Sequence, residues 1–131
     1  MKITSFMCFE NSFIDSDGRL NFNNPLMEIK LVNLPSTFSF CIILGITNID
    51  KNGNDKLVID LVSPSGSAIN IVDSYLPESD ESKDVIYKGM LNLELRNIVF
   101  DEYGTYTFKI FGNDELISSY EIEMEVDENV D

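Results

Sequence analysis

Turn-forming residues recur about every ten positions in this chain, and the segments between them are rich in β-branched and aromatic residues. Asp15-Ser16-Asp17-Gly18, Pro35, Asn52-Gly53, Pro64-Ser65-Gly66 and Gly112-Asn113-Asp114 punctuate it in that order. Glycine in such a turn supplies the positive φ that other residues avoid. This rhythm predicts an all-β fold, a single antiparallel β-sandwich of about seven to nine strands. Strands are expected over 5–14, from Leu20 and Phe22 onward, over 26–34, 37–49, 56–64, 67–76, 85–100, 104–111 and 115–126.

The individual segments carry their own signals. In 26–34, Met27, Ile29 and Leu31 alternate with Glu28 and Lys30, which predicts one buried and one wet face. The run 37–49 is almost continuously apolar and reads as a central strand covered on both faces. Asn52-Gly53 is the strongest hairpin signal and predicts that 56–64 folds back on 37–49. Residues 77–84 form the one long polar loop. In 120–126, Tyr120, Ile122, Met124 and Val126 alternate with Glu121, Glu123 and Glu125. The first set is expected to face the core and the second to face water.

Composition narrows the function more than the fold. The chain of 131 residues is one domain of ordinary size, residues 1–131, with a short acidic disordered tail expected from about 127. A hydrophobic content of 44% argues against general disorder. There is no apolar run of membrane-spanning length and no apolar signal-peptide core at the N-terminus, so a cytoplasmic location is expected. The absence of His removes Ser-His-Asp and Cys-His catalysis and His-ligated zinc. Ala68 is the only alanine, which argues against a helical protein. Cys8 and Cys41 have no metal spacing and are expected as reduced, partly buried thiols without a disulfide. Thirteen Asn, fifteen Ile and seven Lys, residues with AT-rich codons, suggest an AT-rich bacterial or phage genome.

Charge is distributed unevenly. Residues 1–72 hold five basic and seven acidic side chains, and residues 73–131 hold four and sixteen, which together make the net −14. Direct binding to nucleic acid or to an anionic membrane needs a basic footprint and is not expected. A magnitude of about 2–8 suffices for solubility of a small domain. The excess therefore points to a basic partner, which an acidic surface attracts in a salt-sensitive way.

Gly104-x-Tyr106, with Phe108 two residues on, resembles the tyrosine corner of immunoglobulin-like domains. No Trp accompanies it and Phe108 stands where an antibody domain has its second cysteine, so the resemblance is to disulfide-free Ig-like sandwiches. Asp101 lies five residues before the Tyr, one more than the common antibody spacing. Together with Asp17-Gly18-Arg19-Leu20, Ser63-Pro64-Ser65-Gly66 and Asp114-Glu115-Leu116-Ile117, the motif also resembles a family of small uncharacterised bacterial and phage β-sandwich proteins. That resemblance implies the fold and no activity.

The remaining polar clusters fit ordinary roles. Asp50, Asn52, Asn54 and Asp55 cluster, but Gly53 is fourth and Leu61 twelfth, which is not an EF-hand pattern. Asp101 and Glu102 are adjacent and would point to opposite faces of a strand. No catalytic, cofactor or metal residue is expected. Glu121, Glu123 and Glu125 would be spaced about 6.5–7 Å along a strand, comparable with successive phosphates. A second acidic cluster, Glu78, Asp80 and Glu81, lies in the long loop. These six carboxylates, with Tyr75 and Tyr120 as aromatic anchors, are the expected contacts for a basic protein partner. The expected function is a non-enzymatic acidic binding module, in its sharper form a phage or mobile-element inhibitor such as an anti-CRISPR, docking on a basic nucleic-acid-binding host protein. The alternative is a structural or accessory subunit of a larger assembly.

Overall fold

The structure is a computed structural model that describes residues 1–50, 52–78 and 86–128, with only the strand course given for 86–88. Nine strands make it up: β1 (Lys2–Ile14), β2 (Leu20–Leu26), β3 (Glu28–Leu31), β4 (Ser36–Asp50), β5 (Lys56–Val62), β6 (Ala68–Tyr75), β7 (Ile86–Phe100), β8 (Gly104–Gly112) and β9 (Glu115–Val126). They form two sheets, ordered β2-β1-β4-β7 and β3-β9-β8-β5-β6. No helix occurs among the described residues, and so no helix there is long and apolar enough to cross a membrane.

One core joins the sheets. Phe40, Ile42, Leu44 and Ile46 of β4 and Leu95 and Phe100 of β7 meet Leu57, Ile59 and Leu61 of β5, Phe108 and Ile110 of β8, and Ile122 and Met124 of β9. Rings bridge the layers: Phe6 of β1 lies 5.1 Å from Phe108 and stacks on Tyr120 at 4.5 Å, and Phe40 meets Phe108 edge-on at 6.2 Å. Such aromatic contacts add to the burial of the rings themselves. In β4 the residues from Phe40 to Ile46 are buried without interruption, as its apolar run predicts.

Three expectations need correction. Asn52-Gly53 does not close a hairpin, because β4 and β5 lie in different sheets. Its tight turn, with Gly53 at φ 75° and Gly53 N–H donating to Asp50 O, instead carries the chain across the core. The fold is not wholly antiparallel, since β3 runs parallel to β9. Finally, 26–34 is not one strand. The chain bends between β2 and β3, leaving Met27 85% exposed while Ile29 is buried.

The Pro64 and Asn113 turns do close hairpins, β5–β6 and β8–β9. At the latter, Asn113 and Asp114 both take positive φ, as a two-residue hairpin turn requires. Cys8 and Cys41 are free and buried. Cys8 points into the core and Cys41 to the other side of the same sheet, because β1 pairs Cys8 with Ile42 and Phe9 with Cys41.

Candidate functional site

Strand β9 presents the acidic row. Ile122 and Met124 are buried and Glu121, Glu123 and Glu125 are exposed, so the alternation holds from 121 to 125. It fails at Val126, which was expected in the core and is 47% exposed. The parallel pairing then adds a carboxylate the sequence pattern did not connect to the row. Glu28 of β3 lies directly opposite Glu123, and Lys30 opposite Glu125. On the other side Glu123 pairs with Thr105 and Glu121 with Thr107.

Like charges directly opposite on a sheet are destabilising, so Glu28 and Glu123 need local relief. Lys30 Nζ lies 3.7 Å from Glu28, and the Thr105 hydroxyl donates to Glu123. Both contacts are exposed to solvent and weak. The result is four outward carboxylates, Glu28, Glu121, Glu123 and Glu125, with Lys30 beside Glu28 and Lys109 of β8 on the same face, diagonal to Glu121. A depression of about 430 Å³ at the end of this edge is lined by Lys30, Glu125, Val126 and Glu128.

The remaining expected contacts are not gathered there. Tyr75 ends β6, the opposite edge strand, and is 65% exposed beside Lys56. Register across the sheet runs Glu121–Thr107–Val62–Ala68 at one end and Leu57–Gly112 at the other, so Tyr75 and the glutamate row occupy opposite corners. Glu78 follows Tyr75 and packs near the Gly53 turn. Asp80 and Glu81 lie outside the described residues. Tyr120 faces inward, its ring engaged with Phe6, and is not presented as an anchor.

The other carboxylate clusters are occupied by their own turns. Asp50 accepts hydrogen bonds from Asn52 N–H at 2.9 Å and Asn54 Nδ2 at 3.1 Å, while Asp55 accepts from Asp50 N–H and Asn113 Nδ2. Asp15 accepts from Asp17 N–H, Arg19 N–H and Asn21 Nδ2, and the Asn21 amide is the main reason its carboxyl sits below the usual carboxylate range. Glu102 is held low chiefly by the Ser65 hydroxyl, which donates to it at 2.7 Å.

Asp127 is still tied to the fold, its N–H donating to Leu31 O at 3.1 Å, and the residues beyond 128 lie outside the described ones. Glu28 is the residue that local reasoning missed. Its alternation with Ile29 and Leu31 was visible, but its neighbour is nearly a hundred positions away and pairs through a parallel register that no local pattern encodes.

No curated protein and no solved structure matches the chain. Residues 5–125 match the model of a family of unknown function, DUF6941, and the chain belongs to that family.

Proposed function

We propose that this protein is a non-enzymatic binding module whose β3–β9 edge docks on a basic surface of a protein partner. One observation carries the reading: Glu28 and Glu123 stand side by side within a row of four outward carboxylates, an arrangement that costs stability and that solubility does not require. A surface tolerating that repulsion gains when a partner supplies the missing cations. Glu121, Glu123, Glu125 and Glu28 are the contacts, and the depression beside Glu125 receives a basic side chain. The sharper form is competition for the nucleic-acid channel of a host defence protein. It rests on the phosphate-like spacing of the row and on the AT-rich residue usage.

The frame for this surface is read as immunoglobulin-like. Supporting it are the β5–β6 and β8–β9 hairpins in one sheet, crossings between sheets at β4–β5 and β7–β8, and a tyrosine at the second crossing bonded back to the backbone.

The test is a tagged pull-down from native-host lysate at low and high salt, alongside the triple variant Glu121→Lys, Glu123→Lys, Glu125→Lys. A stoichiometric basic partner released by salt and absent from the variant is expected. Unchanged capture by the triple variant removes this surface from consideration. A captured nuclease or other nucleic-acid-binding protein selects the inhibitor form.

A further inference from the structure

Charge is segregated between the two sheets. The strands of the β2-β1-β4-β7 sheet contain three cations, Lys2, Lys88 and Arg96, and three anions, Glu10, Asp50 and Glu94. In a chain of net −14 this sheet is neutral. Its outward side carries Met7, Phe9, Ile43, Met90 and Asn92, with Met7 52% and Met90 71% exposed. Among the described residues of that side Glu94 is exposed beside Cys41, and two copies could approach there without bringing carboxylate rows together.

The free edges of both sheets differ in how well they resist pairing. Edge strands avoid unwanted partners by being short, or through proline, bulges and charge. Strand β2 contains Pro25 and the left-handed Asn24, and β3 has four residues. Strand β6 has a bulge, and the Asn70 side chain there donates to Ile59 O and Val72 O. Strand β7 is different. From Gly89 to Leu95 it pairs regularly with Ile46 to Phe40, and Glu94 is its only charge in that stretch. Its bulge comes afterwards, at Asn97 with φ 54°.

Burial along this stretch is incomplete on one side. Ile42 and Leu44 of β4 are fully buried, but their β7 partners Leu93 and Leu91 are only half-buried, and among the described residues no strand pairs with the outer flank of β7. We infer that the β7 edge, residues 89–95, pairs antiparallel with the same edge of a second copy, joining the two neutral sheets into one. In a register centred on Asn92, Leu91 stands opposite Leu93 of the second copy and Met90 opposite its Glu94. Both half-buried leucines gain an apolar neighbour, and the two Glu94 side chains remain about 14 Å apart at strand rise. This surface lies on the sheet opposite the acidic edge, so the two readings stand or fall separately.

Seven residues of edge make a small interface, so the dimer is concentration-dependent. Sedimentation velocity from about 1 µM to about 500 µM brackets that range. The expected result is a shift from the 14.9 kDa monomer to twice that mass. Asn92→Lys places two cations against each other at the two-fold axis and is expected to hold the protein monomeric, with a melting temperature lowered only by the loss of the exposed Asn92 Nδ2–Ser12 hydroxyl contact at 3.3 Å. Asn92→Cys is expected to cross-link under mild oxidation, since directly opposed Cα atoms lie about 4.5–5.5 Å apart, within disulfide reach. Ser74→Cys on the β6 edge is the control and is expected to stay uncross-linked. A monomer throughout the concentration range, or a dimer that survives Asn92→Lys, overturns the inference. A dimer that leaves the cysteine at 92 unlinked overturns the register.

Discussion

The Tyr106 hydroxyl closes a ring with one residue: it accepts the Glu102 N–H at 3.2 Å and donates to the Glu102 carbonyl at 3.1 Å. The phenol thereby satisfies both polar groups of a backbone unit at the corner where β7 hands over to β8. Phe100 meets its ring edge-on at 5.1 Å. The neighbouring Gly104 takes φ 125°, and a Cβ there would come within 3.0 Å of Pro64, so the β5–β6 turn seats on the same corner. Tyr106→Phe should lower stability by about 1–2 kcal/mol, a hydrogen bond plus part of the cost of its stranded partners. Denaturant unfolding measures it, and a loss below about 0.3 kcal/mol would show that the corner is incidental.

Phe108 is fully buried and touches rings from both β1 and β4. Phe108→Ala should cost about 3–5 kcal/mol, the range for deleting a buried aromatic side chain. Calorimetry or urea titration checks it. A smaller loss would mean that the two sheets can close over the gap.

Neither thiol should react in the native protein. Burial, with a smaller contribution from the nearby Cys41, pushes the Cys8 pKa from 9.0 up to about 12. Cys41 is also raised, again first by burial. Both groups contribute stability that is complete below the unfolded value of 9.0 and is lost as pH rises toward the folded value. A thiol-reactive dye at pH 8 should label no cysteine until denaturant is added, and then label two. Native labelling at a rate independent of unfolding would contradict the burial.

The β1–β2 turn should loosen in acid. The folded Asp15 carboxyl titrates below its ordinary value of 3.8. Its contribution is therefore present above that value and disappears as pH falls through the lower folded one. Amide resonances of Asp17 and Arg19, whose N–H groups donate to Asp15, should shift together in that window. Asp15→Asn should flatten the response. Resonances that move only with global unfolding would assign the turn no titration of its own.

Reversing the acidic row should leave the fold intact. Glu121, Glu123 and Glu125 are exposed and bury no charge. The triple Lys variant replaces the Glu28–Glu123 repulsion with an attraction but sets Lys30 opposite a second cation at position 125, and the two changes, each worth roughly 0.2–1 kcal/mol, offset. Its melting temperature should match or slightly exceed that of the parent. A drop of more than a few degrees would show the carboxylates to be structural.

Much of this architecture was legible in the residues themselves. The predicted segments over 56–64, 67–76, 85–100, 104–111 and 115–126 correspond to β5 through β9 within two residues at each end. Alternation and turn chemistry are local, and so a single segment carries them. The return of the Tyr106 hydroxyl to a nearby backbone group was legible for the same reason, its partner being Glu102. Alternation alone places the acidic row of β9 on one face.

What the sequence determined by itself was the strand content, the continuous burial of β4 from Phe40 to Ile46, the alternating faces of β9 from 121 to 125, and the exclusion of histidine chemistry. Tertiary structure alone decided which strands became neighbours. It sent the Asn52-Gly53 turn across the core, where local signals predicted a hairpin. It set Glu28 beside Glu123, moved Tyr75 to the far corner of the sheet, and left the largely apolar stretch of β7, with Glu94 its one charge, at an edge. Pairing depends on which apolar faces can be buried together over long sequence separations. Period-two patterning states that a face is apolar, but not which strand will cover it.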